Sequence, residues 1–300
     1  MLNSILRKIQ KIVSLISQIP SELAYRVELV KYANKLPKLA ACDQRIVEAC
    51  KKEGVFVTSL EDLGFTSTSQ LLRAAKSQLN CMETVRSLNQ GNQEDSRNET
   101  ALAFPQIFTV TDLLEFFSWG CEERLLDIVE NYIGLPIAFQ GVHLRRDFAN
   151  KSPVTTEYWH QDLEDRRILK VIIYLSDVSE EHGPFEYIPK PKVSPQLSWL
   201  IHYKIRRAPA LGLSDREIEK LVPRSAWKSC PGKAGTVIFV DPKAIFHHGK
   251  SRQVERSALF FVYTAKQPLQ PEHCTQYSDQ TFARPELTVE SESKTPAVSV

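Results

Sequence analysis

The chain has 300 residues, 42% of them hydrophobic and 25% charged, the composition of a globular protein with enough apolar side chains for a sizeable core. Its 38 Lys and Arg stand against 36 Asp and Glu, a formal net charge of +2, so the chain as a whole offers no field for nucleic acid or an anionic membrane. No apolar run reaches the roughly 18 residues of a membrane-spanning helix. Six scattered cysteines with no CxxC pair exclude a zinc finger and a disulfide framework, and suit free thiols in a reducing compartment.

Leu2, Ile5, Leu6, Ile9, Ile12, Val13, Ile16 and Ile19 recur at three- and four-residue spacing, which predicts an amphipathic helix over residues 1–19. Such a stripe ordinarily docks on the protein's own core; peripheral contact with a membrane and a dimer seam are the other uses it permits. Arg7, Lys8 and Lys11 interrupt the apolar centre that a secretory signal needs. The lack of acidic residues before Glu22 is shared with mitochondrial transit segments, and the cytoplasm is the default. Further helices are predicted over residues 21–38, 43–52 (stopped by Gly54) and 67–90, with a short strand at 55–58. The polar stretch NQGNQEDSRNET, residues 89–100, reads as an exposed loop closing a helical N-terminal region, residues 1–100.

Two helical segments, around 111–118 and 121–131, come next. From Ile137 the pattern changes to short β-branched blocks: IAFQGVHL (137–144), LKVIIYL (169–175), FEYI (185–188), TVIFV (236–240) and ALFFVY (258–263). Turn residues such as Gly183-Pro184 and Pro231-Gly232 separate them, which predicts a barrel or sandwich within an α+β chain rather than βαβ units. A polar, partly helical insert fills about 191–228. The β-rich core with its flanking helices is taken as residues 101–284, and residues 285–300, rich in Ser, Glu, Thr and Pro, are predicted to be disordered.

Three segments carry chemistry: WHQD (159–162), FHHGK (246–250) and RSALFF (256–261). On an extended strand residues i and i+2 share a face, so His160 and Asp162 project together while Gln161 turns away. An imidazole and a carboxylate on one face, with a distant imidazole, make a two-His-one-carboxylate set that leaves coordination positions open on iron(II). Alternation permits either His247 or His248 as the third ligand; His247 is preferred because it stands closer to the preceding strand. Arg256 opens an apolar strand, where its cationic fork can hold a carboxylate through two hydrogen bonds. A lone His-x-Asp is a weak signal that a buried hydrogen-bonded pair would also produce; the downstream His and Arg strengthen it.

The order WHQD, GPFEYIP (183–189), GTVIFVDPKAIFHHGK (235–250) and RSALFFVYT (256–264) resembles the phytanoyl-CoA dioxygenase family over roughly residues 135–266. The resemblance implies an oxygenase dependent on Fe(II) and 2-oxoglutarate, using O2 and releasing succinate and CO2. It implies a double-stranded β-helix, a cupin-like jelly roll, with the helical N-terminal part packed around it. By residue, it implies His160, Asp162 and His247 as iron ligands and Arg256 as the 2-oxoglutarate clamp, with Gln161 and Tyr174 near the cosubstrate. Related halogenases replace the carboxylate by Gly or Ala, so Asp162 implies hydroxylation or a related oxidation. The chain departs from the family at IPKPK (188–192), where a Gly-Ser-His turn is usual, and at His248, where Arg or Gly is usual. These departures weaken any inference about the substrate, which is expected to be a small organic or lipid-like molecule.

His143 and Arg145 either touch 2-oxoglutarate or substrate, or sit outside the barrel. Lys170 could reach a carboxylate, although an exposed strand lysine is commoner, and Glu157, Glu164, Asp165, Arg166 and Arg167 are expected to be solvated or paired. Trp119, Trp159, Trp199 and Trp227 are expected in the core or at its rim. Two rival readings stay open: a metal-binding cupin-type barrel without 2-oxoglutarate, and an interaction protein that uses its N-terminal helices.

Overall fold

The computed structural model describes residues 21–91, 104–150 and 152–285, so the predicted 1–19 helix, most of the 89–100 loop and the tail from 286 lie outside the described residues. Residues 21–32 are helical. The helix predicted to reach Lys38 ends earlier, in a 3-10 turn Ala33–Lys35, because Leu36 precedes Pro37 and is extended. The longer helices are α1 (Ala41–Glu53), α2 (Thr68–Gly91), α3 (Leu114–Gly120), α4 (Glu123–Ile133) and α5 (Pro195–Ile205).

The strands are β1 (Val55–Ser59), β2 (Gln106–Thr109), β3 (Ile137–Asp147), β4 (Leu169–Tyr174), β5 (Phe185–Ile188), β6 (Lys228–Cys230), β7 (Thr236–Val240), β8 (Phe246–Gly249) and β9 (Arg256–Ala265). Six form one sheet in the order β1-β7-β4-β9-β3-β2, and three form a second, β6-β5-β8. All of these pairings are antiparallel. Each predicted β block is a strand, with β3 running on to Asp147 and β9 starting at Arg256. The unpredicted β2, β6 and β8 have three or four residues each, too few to show alternation. β1 comes from the helical N-terminal part and pairs with β7, so that part and the later strands share one sheet.

Alternation explains why the central strands read as continuous apolar runs. Leu169, Val171 and Ile173 of β4 and Leu259, Phe261 and Tyr263 of β9 face the helices, packing with Ile46, Trp119, Leu125 and Ile128. Trp119 is fully buried, with its ring centroid 4.6 Å from that of Phe261. Full burial of each such side chain contributes roughly 1.5–3 kcal/mol. The opposite faces, with Ile172, Tyr174, Ile238 and Ala258, meet Phe185 and Tyr187 of the small sheet. Among the described residues no helix is long and apolar enough to cross a membrane.

Candidate active site

The WHQD segment is extended and tied to the chain residue by residue. Trp159 N–H donates to Leu213 O at 2.8 Å, His160 N–H to His247 O at 3.0 Å, and Asp162 N–H to Pro242 O at 3.1 Å. His160 and His247 thus form a bridge, their ring centroids 4.4 Å apart. Nδ1 of His160 lies 2.7 Å from Tyr158 O, which engages that nitrogen and leaves Nε2 for the site. Nε2 of His160 and of His247 lie 3.5 and 3.7 Å from Asp162 Oδ1, and one ligand atom from each of the three residues falls within 4.8 Å of the others. His248 faces elsewhere: its nitrogens contact Glu157 O and Glu186 Oε2, each at 2.9 Å, and its ring stacks on Trp159.

Burial pushes His247 down to about 3, with His160 adding to the effect, so the imidazole is neutral and its lone pair is available at ordinary pH. Burial opposes ionisation of Asp162, but the Lys170 ammonium, with the His160 and His247 rings beside it, outweighs that and holds the carboxyl well below the usual range. Lys170, expected to be exposed, is nearly buried. Its Nζ lies 2.6 Å from Asp162 Oδ2, 3.0 Å from Glu164 Oε1 and 2.9 Å from Tyr277 OH. Tyr277 OH in turn donates to Glu164 Oε1 at 2.7 Å. Lys170 therefore occupies the outer oxygen of Asp162 and leaves Oδ1 facing the histidines.

Along β3 and β9 the register sets Asp147 opposite Arg256 and Arg145 opposite Ala258. Asp147, fully buried, gathers three arginines: Arg145 Nε at 2.6 Å, Arg256 Nη2 at 2.9 Å and Arg252 Nη1 at 3.4 Å. Burial opposes its ionisation, but Arg145, Arg256 and Arg252 outweigh that and hold the carboxyl below its usual range. Arg256 Nη1 also donates to Gly183 O. Gly183 has φ +62°, and a Cβ there would meet Lys250 O at 2.1 Å, so this carbonyl's position needs glycine. The terminal nitrogens of Arg145 have no hydrogen-bond partner among the described residues.

His160, Asp162, His247, Arg256, Arg145 and Lys170 all line one cavity of about 460 Å³. His143 and Tyr174 line it too, with the Tyr174 hydroxyl donating to Cys230 O and accepting from Phe185 N–H. Gln161 does not join them: it donates to Lys243 O at 2.9 Å and stands outside the cavity wall. Glu157, Glu164 and Asp165, expected to be solvated or paired, are all buried and bonded, Glu157 to Arg252 at 2.8 Å. Sequence reasoning missed Glu164, Asp147 and Tyr277, none of which has a motif. The charge cluster around WHQD was a signal for the first, and the even spacing of Arg145 and Asp147 for the second.

A family model described as Phytanoyl-CoA dioxygenase (PhyH) matches residues 44–253. The chain belongs to the phytanoyl-CoA dioxygenase family. It is thus a non-haem iron, 2-oxoglutarate-dependent enzyme with O2 as cosubstrate. EctD from S. alaskensis with bound Fe shares 18% identity over 82% of this chain and 84% of that one, with a TM-score of 0.52. The EctD structure with 2-oxoglutarate and 5-hydroxyectoine shares 19% identity over the same fractions, 82% and 84%, with a TM-score of 0.50. HygX from Streptomyces hygroscopicus with nickel and 2-oxoglutarate is 16% identical over 76% of this chain and 88% of that one, with a TM-score of 0.49. At these identities the EctD likeness is one of fold. No curated protein matches the sequence.

The residues present fit this family's metal. Two imidazole nitrogens and one carboxylate oxygen converge, and the second carboxylate oxygen is neutralised from behind by an ammonium, a donor set suited to a divalent cation with open positions. At the family's usual Gly-Ser-His turn, this phytanoyl-CoA dioxygenase relative has a 3-10 turn, Lys190–Lys192, and Lys190 reaches back to Lys51 O at 2.9 Å.

Proposed function

We propose that the protein hydroxylates, or otherwise oxidises, a small organic or lipid-like substrate, with His160, Asp162 and His247 as its iron ligands. In this reading Arg256 anchors the distal carboxylate of 2-oxoglutarate, and the two sheets form a double-stranded β-helix over residues 101–284 with the N-terminal part packed on it. One observation carries it: the three ligand atoms converge on the wall of a cavity that Arg256 also lines.

When bound, iron(II) with 2-oxoglutarate and O2 supplies oxidising power sufficient to remove hydrogen from an unactivated C–H bond, with succinate and CO2 as co-products. The protein supplies position and surroundings. His160 and His247 present Nε2, with the other ring nitrogen of His160 held by a backbone carbonyl. Lys170 restricts Asp162 to one oxygen. Arg256, fixed by Asp147 and Gly183, has unused N–H directions for a carboxylate, and Arg145 offers a second fork beside it. Phe104, Ile107, Phe260, Val262 and Phe282 give the rest of the cavity an apolar wall, which suits a substrate with an apolar body and excludes water from the reacting atoms. Six free thiols, three of them buried, suit a cytoplasmic protein.

The test needs no substrate. Under nitrogen, the apoprotein is titrated with iron(II) and then 2-oxoglutarate, beside Asp162→Ala, and the visible spectrum is recorded. A broad charge-transfer band is expected in the wild type and a much weaker one in the variant. Tight iron binding without a band would favour a metal-binding barrel of another kind, and no iron binding would refute the ligand set.

A further inference from the structure

The insert between β5 and β6 has a charge pattern unlike that of the chain as a whole. Between Glu186 and Asp215 there is no acidic residue, while Lys190, Lys192, Lys204, Arg206 and Arg207 fall within that stretch; the whole chain nets only +2. Lys192, Lys204 and Arg206 are exposed and make no ion pair among the described residues, and Arg207 is exposed with its guanidinium over Tyr203.

The helix that carries these charges is two-faced. Leu197, Ile201 and Ile205, at four-residue spacing, pack inward with Trp159 and Phe246. Trp199, Tyr203 and Arg207, on another stripe at the same spacing, form a column: the Trp199 and Tyr203 rings stack at 5.6 Å with planes 17° apart, and Arg207 lies 4.3 Å from the Tyr203 centroid. Trp199 is 60% exposed although it is an indole, and Leu211, in the turn that follows, is 72% exposed. Leu211 is also the one non-glycine residue with positive φ, +51°, among the described residues. Backbone strain thus accompanies an apolar side chain set out into solvent.

We propose that this helix and turn, residues 190–213, form a docking surface for an anionic phospholipid bilayer. A bilayer interface accepts all three parts together: lysine and arginine heads meet lipid phosphates, the amphipathic indole settles at headgroup depth, and leucine enters the acyl boundary. A single-stranded nucleic acid fits less well. It would need ring faces free to stack bases, whereas Tyr203 is already covered by Trp199 and Arg207, and it has no use for Leu211. The surface backs directly onto the WHQD segment, because Leu213 and Trp159 exchange backbone hydrogen bonds at 2.8 and 3.0 Å. The inference does not depend on the metal ligands.

The experiment is cosedimentation of the full chain with vesicles of phosphatidylcholine alone and with phosphatidylglycerol added. Binding is expected only to the anionic vesicles, weakened by salt, with a blue shift of tryptophan emission that Trp199→Ala abolishes. Each cation at such a surface changes the partition coefficient roughly fivefold, so K204Q/R206Q/R207Q is expected to bind roughly a hundredfold more weakly. These side chains are exposed, so wild-type melting is expected of both variants, and each reports independently should the other misfold. Undiminished binding by the triple variant, no binding of the wild type to anionic vesicles, or displacement from vesicles by poly(U) would each overturn the proposal.

Discussion

Replacing Lys170 by Met removes the ammonium but keeps most of the side chain's length, and the cost can be worked from its partners. Nζ lies 2.6 Å from Asp162 and 3.0 Å from Glu164, in surroundings that admit little water. Without it two carboxylates face each other with no cation between them. Breaking a buried pair from one side costs roughly 3–5 kcal/mol. For a chain of this size that is about 10 °C in melting temperature, with the metal removed by chelator. A divalent ion at Asp162 returns a positive charge to one of the two carboxylates, so manganese(II) is expected to recover about half of the loss. Glu164 keeps the Tyr277 hydroxyl and the Leu163 N–H. The assay is thermal melting of wild type and variant, each metal-free and manganese-saturated. An unchanged melting temperature in the metal-free variant would refute the counter-ion argument; equal deficits with and without manganese would refute the shared-charge part of it.

Arg256→Ala should weaken 2-oxoglutarate binding by about 10- to 100-fold, the range of a lost charge-assisted hydrogen bond, with iron(II) affinity unchanged because Arg145 and Arg252 still compensate Asp147. Equal 2-oxoglutarate affinity in a spectroscopic titration would sink the clamp assignment. Asp241 gives a pH prediction. Its oxygens accept from Tyr132 OH and from the Lys243 and Ala244 N–H groups, and burial pushes the carboxyl up to about 6 despite these bonds. A raised carboxyl favours the folded state fully below the unfolded value near 3.9, and that stability is lost as pH rises through about 6. Asp241→Asn, which cannot ionise, should therefore gain on the wild type by about 2 kcal/mol as pH goes from 4 to 7 in denaturant melts. A difference that stays flat with pH would exclude the raised carboxyl.

The proposed ligand set was legible because the chemistry needs rare residue types at fixed strand spacing: His160 and Asp162 on one face, His247 before Arg256. The central strands were legible because both their faces are buried. Lys170 was not, since its partners come from two separate places, Asp162 and Glu164 on one segment and Tyr277 beyond the stretch that resembles the family. Asp147 was half hidden: its spacing from Arg145 is local, but nothing in GVHLRRD announces that Arg252 and Arg256 will converge on it. Gln161, which the resemblance places near the cosubstrate and strand alternation turns away, follows the alternation and donates to Lys243 O. The short strands β2, β6 and β8 exist because the strands they pair with template them, which is a property of the sheet and not of their own three or four residues.

The strand order carries a consequence for biosynthesis. β9, the last strand to leave the ribosome, lies between β3 and β4, and β1 waits for β7, some 180 residues later. A nascent chain therefore exposes the unpaired edge of β1 until β7 has emerged, and those of β3 and β4 that face β9 until Ala265 has, a long interval for aggregation-prone strands. The sheet is completed by one late insertion at its centre. A chain stopped before Arg256 would lose the arginine proposed to hold 2-oxoglutarate and, with it, the strand on which β3 and β4 both pair.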